Sequence, residues 1–270
     1  VAVELGANPH GLLGAHEADG GVVVRAYRPE ARCVRVQPAG VEAELKDPAG
    51  LWEALLPKAR LPLDYELEVE YPDGNTFTVR DPYSFLPTLG ELDLHLAMEG
   101  RHENLYERLG AHVRELDGVV GTAFAVWAPN ARSVAVVGDF NSWDGRLHPM
   151  RSLGSSGIWE LFVPGVDEGT KYKFEIRTQD GRLRLKSDPL AFHTEVPPAN
   201  ASVVWEAKHV WCDEEWLERR AASEPLHGPL SIYEVHLGSW RRNPVEDDRP
   251  LSYRELADEL VDYVSDLGFT

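Results

Sequence analysis

Few residues of this chain combine a reactive type with a telling spacing. Cys33 and Cys212 are too few and too far apart to argue a disulfide framework or a zinc site. His16 and His112 each end a Leu-Gly-Ala-His string, and a histidine that recurs with its string belongs to the framework of the fold. Trp143 closes the Gly- and Asp-bounded turn Gly138-Asp-Phe-Asn-Ser-Trp143, and Lys173 stands between the aromatics Tyr172 and Phe174. An indole has a flat apolar face and an ammonium has hydrogen-bond donors, so the chemistry open to this pair is non-covalent recognition. Two readings of Trp143 stand side by side: an aromatic that pins its turn onto the fold, or an exposed stacking surface. Lys173 is either a solvated charge or a donor on an open sheet face, because strand alternation turns it away from Tyr172 and Phe174.

The elements that would position these residues come from an internal repeat. Leu13-Gly-Ala-His16 recurs as Leu109-Gly-Ala-His112 at an offset of 96. Arg28-Pro-Glu-Ala-Arg32 is matched by Ala128-Pro-Asn-Ala-Arg132 at 100, and Gly50-Leu-Trp-Glu53 by Gly157-Ile-Trp-Glu160 at 107. The offset of 107 then holds for Pro57 and Pro164, Tyr65 and Tyr172, Asp73 and Asp180, and Asp81 and Asp188. The first part of the chain is therefore read as two copies of one domain, residues 1–100 and 101–210. Each copy carries short alternating segments, such as Thr122, Phe124 and Val126, separated by Gly, Pro, Asn and Asp, which predicts an immunoglobulin-like β-sandwich. Residues shared by the copies, including Trp52 with Trp159, are expected in the two cores. The difference in offset, seven residues, falls around 137–145 and so on Trp143, while Lys173 has Glu66 as its counterpart.

Beyond the repeat, 211–230 reads as a connector with a short helix around Glu214-Glu-Trp-Leu-Glu-Arg-Arg220. Residues 231–237, Ser-Ile-Tyr-Glu-Val-His-Leu, are rich in β-branched and aromatic side chains and closed by Gly238, which predicts a buried strand. A helix follows: Ser252 and Glu255 form a capping box, Tyr253, Leu256, Ala257, Leu260, Val264 and Leu267 make a stripe of helical period, and Gly268 supplies the stop. Strand, loop and helix make the opening of a βα unit, which needs further strands to join; a complete (β/α)8 barrel takes about 250 residues, so if the unit opens such a barrel, the rest of it is expected beyond Thr270. The overall class is mainly β, with two tandem sandwiches followed by an incomplete barrel over 231–270. His236, at the end of its strand, is expected to satisfy local hydrogen bonds.

Composition narrows the partners. Hydrophobic residues make up 43% of the chain, ample for packed cores, and 27 Lys and Arg against 45 Asp and Glu leave a net charge of −18. Such a chain repels nucleic acid, and it carries no apolar run long enough for a membrane. A neutral ligand meets no such barrier, and the cytoplasm is the default compartment.

Two stretches carry a family resemblance. Ser231-Ile-Tyr-Glu-Val-His-Leu-Gly-Ser-Trp240 with Arg241-Arg242, Leu251-Ser-Tyr-Arg-Glu-Leu-Ala257 and Asp266-Leu-Gly-Phe-Thr270 resemble the first barrel strand and helix of bacterial 1,4-α-glucan (glycogen) branching enzymes. Gly138-Asp-Phe-Asn-Ser-Trp143 and Tyr172-Lys-Phe174 resemble the glycogen- and starch-binding modules that precede that barrel. The resemblance implies that Trp143 stacks on a glucose ring, that Lys173 reaches a sugar hydroxyl, and that Asn200 supplies an amide contact. A second stacking aromatic of such modules has no match, since Leu185 lies nearest its place. The implied partners are α-glucans such as glycogen and amylose, and the implied chemistry is a retaining double displacement by an Asp and a Glu that needs no metal or organic cofactor. Those carboxylates lie on later strands, so no catalytic residue is expected within this chain, Glu234 included, and the chain alone is expected to be inactive. Debranching and trehalose-releasing hydrolases of the same superfamily, and a non-catalytic glucan-binding protein, are the alternative readings.

Overall fold

In a computed structural model the chain is described over residues 6–224 and 226–270. It divides into two compact units, Val1–Lys208 and His209–Thr270. Strands of the first unit are β1 (Gly14–Ala18), β2 (Gly21–Tyr27), β3 (Cys33–Gln37), β4 (Val41–Glu42), β5 (Glu44–Asp47), β6 (Leu51–Pro57), β7 (Glu66–Glu70) and β8 (Thr76–Arg80). They are followed by β9 (Gly110–Leu116), β10 (Val119–Trp127), β11 (Ala131–Gly138), β12 (Arg151–Ser152), β13 (Ile158–Pro164), β14 (Lys171–Thr178), β15 (Leu183–Lys186), β16 (His193–Thr194) and β17 (Ser202–Val203). Pairing among them is antiparallel throughout.

The first eight strands form two sheets, β1-β2-β6-β5 and β4-β3-β7-β8, that close on one core of Val22, Val24, Val34, Val36, Trp52, Leu56, Tyr65, Leu67 and Val69. The remaining strands repeat the plan. Sheets β12-β13-β10-β9 and β11-β14-β17-β16, the latter with β15 also on β14, enclose Phe124, Val126, Val134, Val136, Trp159, Leu161, Tyr172 and Phe174.

Repeated residues make repeated contacts. Trp52 Nε1 donates to Arg28 O at 3.1 Å, and Trp159 Nε1 to Ala128 O at 3.0 Å. Tyr65 donates to Asp81 at 2.5 Å and Tyr172 to Asp188 at 2.6 Å. His16 and His112 each bond the carbonyl three residues before them, Leu13 O and Leu109 O. Gly50 and Gly157 both hold positive φ, and a Cβ on either would collide with Pro29 or Pro129. The shared residues are thus framework, each closing a buried donor or a tight approach.

The stretch between the two sandwiches is no slack linker. Residues 81–105, including helix α1 (Glu91–Met98), cover the outer face of the β10 and β13 sheet. Phe85 packs edge-on against Phe162 at 4.7 Å, and Leu89 joins Ala125 and Ile158. For this reason β13 is buried along both faces from Ile158 to Val163 and shows no alternation. Leu13 and Tyr83 reach into the second core, and Tyr83 donates to Pro149 O at 3.2 Å. No helix of the described residues is long and apolar enough to cross a membrane.

The second unit holds α2 (Glu214–Ala222), α3 (Leu237–Trp240), the paired β18 (Arg242–Asn243) and β19 (Arg249–Pro250), and α4 (Tyr253–Asp266). The predicted cap is present: Glu255 N donates to Ser252 Oγ at 3.4 Å, and Ser252 N donates back to Glu255 Oε2 at 2.7 Å. Gly268 takes φ 77° and closes the helix by donating to Ser265 O at 3.0 Å. The strand expected over 231–237 is not formed. Those residues have no ladder partner and Leu237 instead opens α3, because a strand of this kind persists only where neighbours satisfy its backbone groups on both sides. Tyr233 nevertheless packs on Tyr263 and Phe269 at 5.9 and 5.1 Å, and Trp240 donates to its hydroxyl at 3.2 Å.

Candidate binding face of the second sandwich

β14 sets the geometry. Tyr172 and Phe174 are fully buried in the core, so Lys171, Lys173, Glu175 and Arg177 point to the other side of the sheet. Register carries this face across the neighbours: Lys173 lies opposite Val137 of β11, Lys171 opposite Val203 of β17, and Glu175 opposite Leu185 of β15.

Beyond Gly138 the chain enters the segment that the first copy lacks. Asp139–Asn141 makes a short 3-10 turn, Ser142 and Trp143 take positive φ of 53° and 62°, and Trp143 N closes the turn on Gly138 O at 3.0 Å. Asn141 holds it from within. Its Oδ1 accepts from Gly138 N at 2.9 Å, while its Nδ2 donates to Val136 O at 3.0 Å and to His148 Nδ1 at 2.9 Å. Burial, reinforced by the Arg28 charge, lowers the His148 imidazole to about 3, which keeps Nδ1 free to accept. Trp143 stays 37% exposed, its Nε1 donating to Asp139 at 3.2 Å. The turn presents the indole, and the anchor is the asparagine two residues earlier.

Lys173 and Asn200, far apart in sequence, meet on this face: Lys173 Nζ donates to Asn200 Oδ1. Beside them Lys171 pairs with Glu195 at 2.7 Å, and Glu195 also accepts from Ala201 N at 3.0 Å. Its hydrogen bond to Glu195, with the charges of Glu195 and Asp139, raises the Lys171 ammonium above its ordinary value. The same bond lowers the Glu195 carboxyl, with help from Ala201 N and from the Lys173 charge. Lys171, Lys173, Glu195, Asn200 and Asp139 therefore form one polar strip that leads to Trp143. Such a strip offers donors and acceptors to hydroxyl groups beside an apolar ring face.

Leu185 is 53% exposed on the same face and supplies no aromatic surface. His236, at the cap of α3, meets Ser239 Oγ at 2.8 Å, a local bond of the expected kind. Sequence reasoning selected Trp143, Lys173 and Asn200 but passed over Asn141, Lys171 and Glu195. The only signal for Asn141 was its place in an inserted, Gly-bounded turn, where a short amide side chain commonly bonds backbone.

Two family models match the chain. Residues 3–83 match the alpha-1,4-glucan branching enzyme GlgB, N-terminal domain, and residues 108–191 match Carbohydrate-binding module 48 (Isoamylase N-terminal domain). The polar strip and Trp143 lie in or beside the second match. A 1,4-alpha-glucan branching enzyme GlgB of Myxococcus xanthus is 58% identical over 97% of this chain and 36% of its own length. That of Thermobifida fusca is 56% identical over 97% of this chain and 35% of its own length. The chain thus spans about a third of the curated relatives it matches. Both matched domains stand in the same order as the repeat, and these relatives align along nearly all of the chain, so it is similar over that length to a part of 1,4-alpha-glucan branching enzyme GlgB proteins.

Proposed function

We propose that the chain is the glucan-recruiting front part of a 1,4-alpha-glucan branching enzyme acting on glycogen in the cytoplasm. In this reading residues 1–100 and 101–210 are tandem immunoglobulin-like domains, 211–230 connects them to the catalytic part, and 231–270 is the first strand and helix of its (β/α)8 barrel. The observation that carries it is the alignment with GlgB enzymes at 58% and 56% identity over 97% of the chain. A feature of the second unit supports the barrel reading: Ser231 N donates to Thr270 Oγ1 at 2.9 Å and Thr270 N to Ser231 O at 3.0 Å. This brings together the two stretches that adjacent parallel strands of a βα unit would occupy. Ile232 is 73% exposed in a segment whose composition suits a buried strand, as expected of a strand whose neighbours belong to the rest of the enzyme.

In the intact enzyme a carboxylate outside this chain would attack the anomeric carbon and a carboxylic acid would protonate the leaving oxygen. A glucan 6-hydroxyl would then take the glucosyl group from the enzyme, giving an α-1,6 branch. On amylose the intact protein is expected to form new α-1,6 links and shorter outer chains while releasing little reducing sugar. Reducing ends that appear in step with lost α-1,4 bonds would instead identify a hydrolase.

For the second sandwich, glucan binding falls to Trp143, Lys173 and Asn200. Trp143→Ala removes one stacking surface worth on the order of 1 kcal/mol, so retention of the chain on a glycogen-containing native gel is expected to drop several-fold with the melting temperature nearly unchanged. Lys173→Ala should weaken retention in the same way, since its side chain lies away from the core. Unchanged retention in both variants would leave this sandwich as a support for the barrel only.

A further inference from the structure

We propose that Trp205 is a second sugar-stacking residue of this face, placed where the sequence alone shows no partner for Trp143. The inference rests on the reading of the second sandwich as a glucan-binding module and extends it to a site of two rings. Val204 is fully buried and joins the second core, so its neighbour Trp205 points to the opposite side, the side of Lys171 and Lys173. The indole is 42% exposed. One of its faces is backed by His193, with ring centroids 4.8 Å apart and planes at 24°, and His193 lies opposite Val203 on the same face of the sheet. A ring held against another ring is fixed in orientation before any ligand arrives, which lowers the entropic cost of stacking a sugar on its free side.

Position argues the same way. β11 and β17 flank the start of β14 on opposite sides, Gly138 opposite Tyr172 and Val203 opposite Lys171. Both chains leave the sheet at this end, one into the Trp143 turn and the other into Trp205. Two strand spacings, about 10 Å, separate these exits, a span that suits rings of one glucan chain rather than a single sugar. Between them lies Lys171 on β14, paired at 2.7 Å with Glu195, which follows β16, and Asp139 lies beside Trp143. A chain laid from Trp143 to Trp205 would pass its hydroxyls over this pair.

The test uses the 270-residue chain with maltoheptaose and maltose as probes. Trp205→Ala is expected to weaken maltoheptaose binding about five- to tenfold and to erase most of its advantage over maltose. In the unaltered chain, titration with maltoheptaose is expected to shift the indole N–H resonances of both Trp143 and Trp205 and to leave those of the buried Trp52 and Trp159 in place; this readout does not depend on a variant folding. Wild-type affinity in Trp205→Ala, or a Trp205 resonance that stays fixed while that of Trp143 moves, would overturn the two-ring site and leave the single-ring reading intact. If neither resonance moves and Trp143→Ala binds as the parent does, the module reading itself fails, and this inference with it.

Discussion

Replacing Glu160 by Ala should destabilise the first unit by about 3–5 kcal/mol, a loss of roughly 6–20 °C in melting temperature for a unit of this size. Glu160 is fully buried on the outer face of β13, beneath the connecting segment that joins the two sandwiches. One oxygen accepts from Arg151 Nε, and the other accepts from Thr88 Oγ1 at 3.0 Å and Thr88 N at 3.3 Å. Removing the carboxylate strands a guanidinium that is itself 8% exposed and already has Nη2 without a partner among the described residues. It also frees the connector, since Thr88 loses its acceptor. The double replacement Glu160→Met with Arg151→Met removes both charges at similar volume and should recover most of the loss, as buried ion pairs exchanged for apolar side chains commonly do. Urea unfolding of the two single variants and the double variant measures this directly. A single Glu160→Ala variant as stable as the parent would show that the connector does not depend on this pair.

The second large effect is expected at Asn141. Its amide closes three hydrogen bonds at 4% exposure, and Asn141→Ala leaves Gly138 N, Val136 O and His148 Nδ1 without it. Buried polar groups left unmet cost about 1–3 kcal/mol each where water cannot reach them, so a total loss of about 2–4 kcal/mol is expected once the turn relaxes. The turn that carries Trp143 should lose its shape with the same change. Glycogen retention is therefore expected to fall at least as far as in Trp143→Ala, and here it falls together with the melting temperature. The contrast separates the two roles: Trp143 would touch the ligand, whereas Asn141 positions it. An Asn141→Ala chain that melts with the parent and still binds glycogen would remove Asn141 from the site.

Much of the architecture was legible because a duplicated sequence reports on itself. Trp52 and Trp159, Tyr65 and Tyr172, and His16 and His112 recur at fixed offsets, and each pair makes the same hydrogen bond in its own sandwich. Alternation placed Lys173 on the open side of β14, and the capping box and Gly268 bounded α4. These are local rules, in which the partners lie within a few residues or are set by strand period.

Other features have no local sign. The string Trp-Glu occurs in both copies, yet Glu53 is partly exposed and bonds Arg25 at 2.7 Å, whereas Glu160 is sealed under the connector. The meeting of Lys173 with Asn200, and of Trp205 with His193, depends on which strands lie beside β14 and β17, and a chain of alternating residues does not announce its neighbours. The same dependence explains the segment at 231–237, whose composition suits a strand but whose backbone finds no ladder here. Sequence by itself determined the repeat, the two cores, the inserted turn and the final helix. Tertiary structure alone decided which glutamate is buried and which side chains share the outer face of β14, because burial and cross-strand contact are properties of the neighbours an element acquires and not of its own residues.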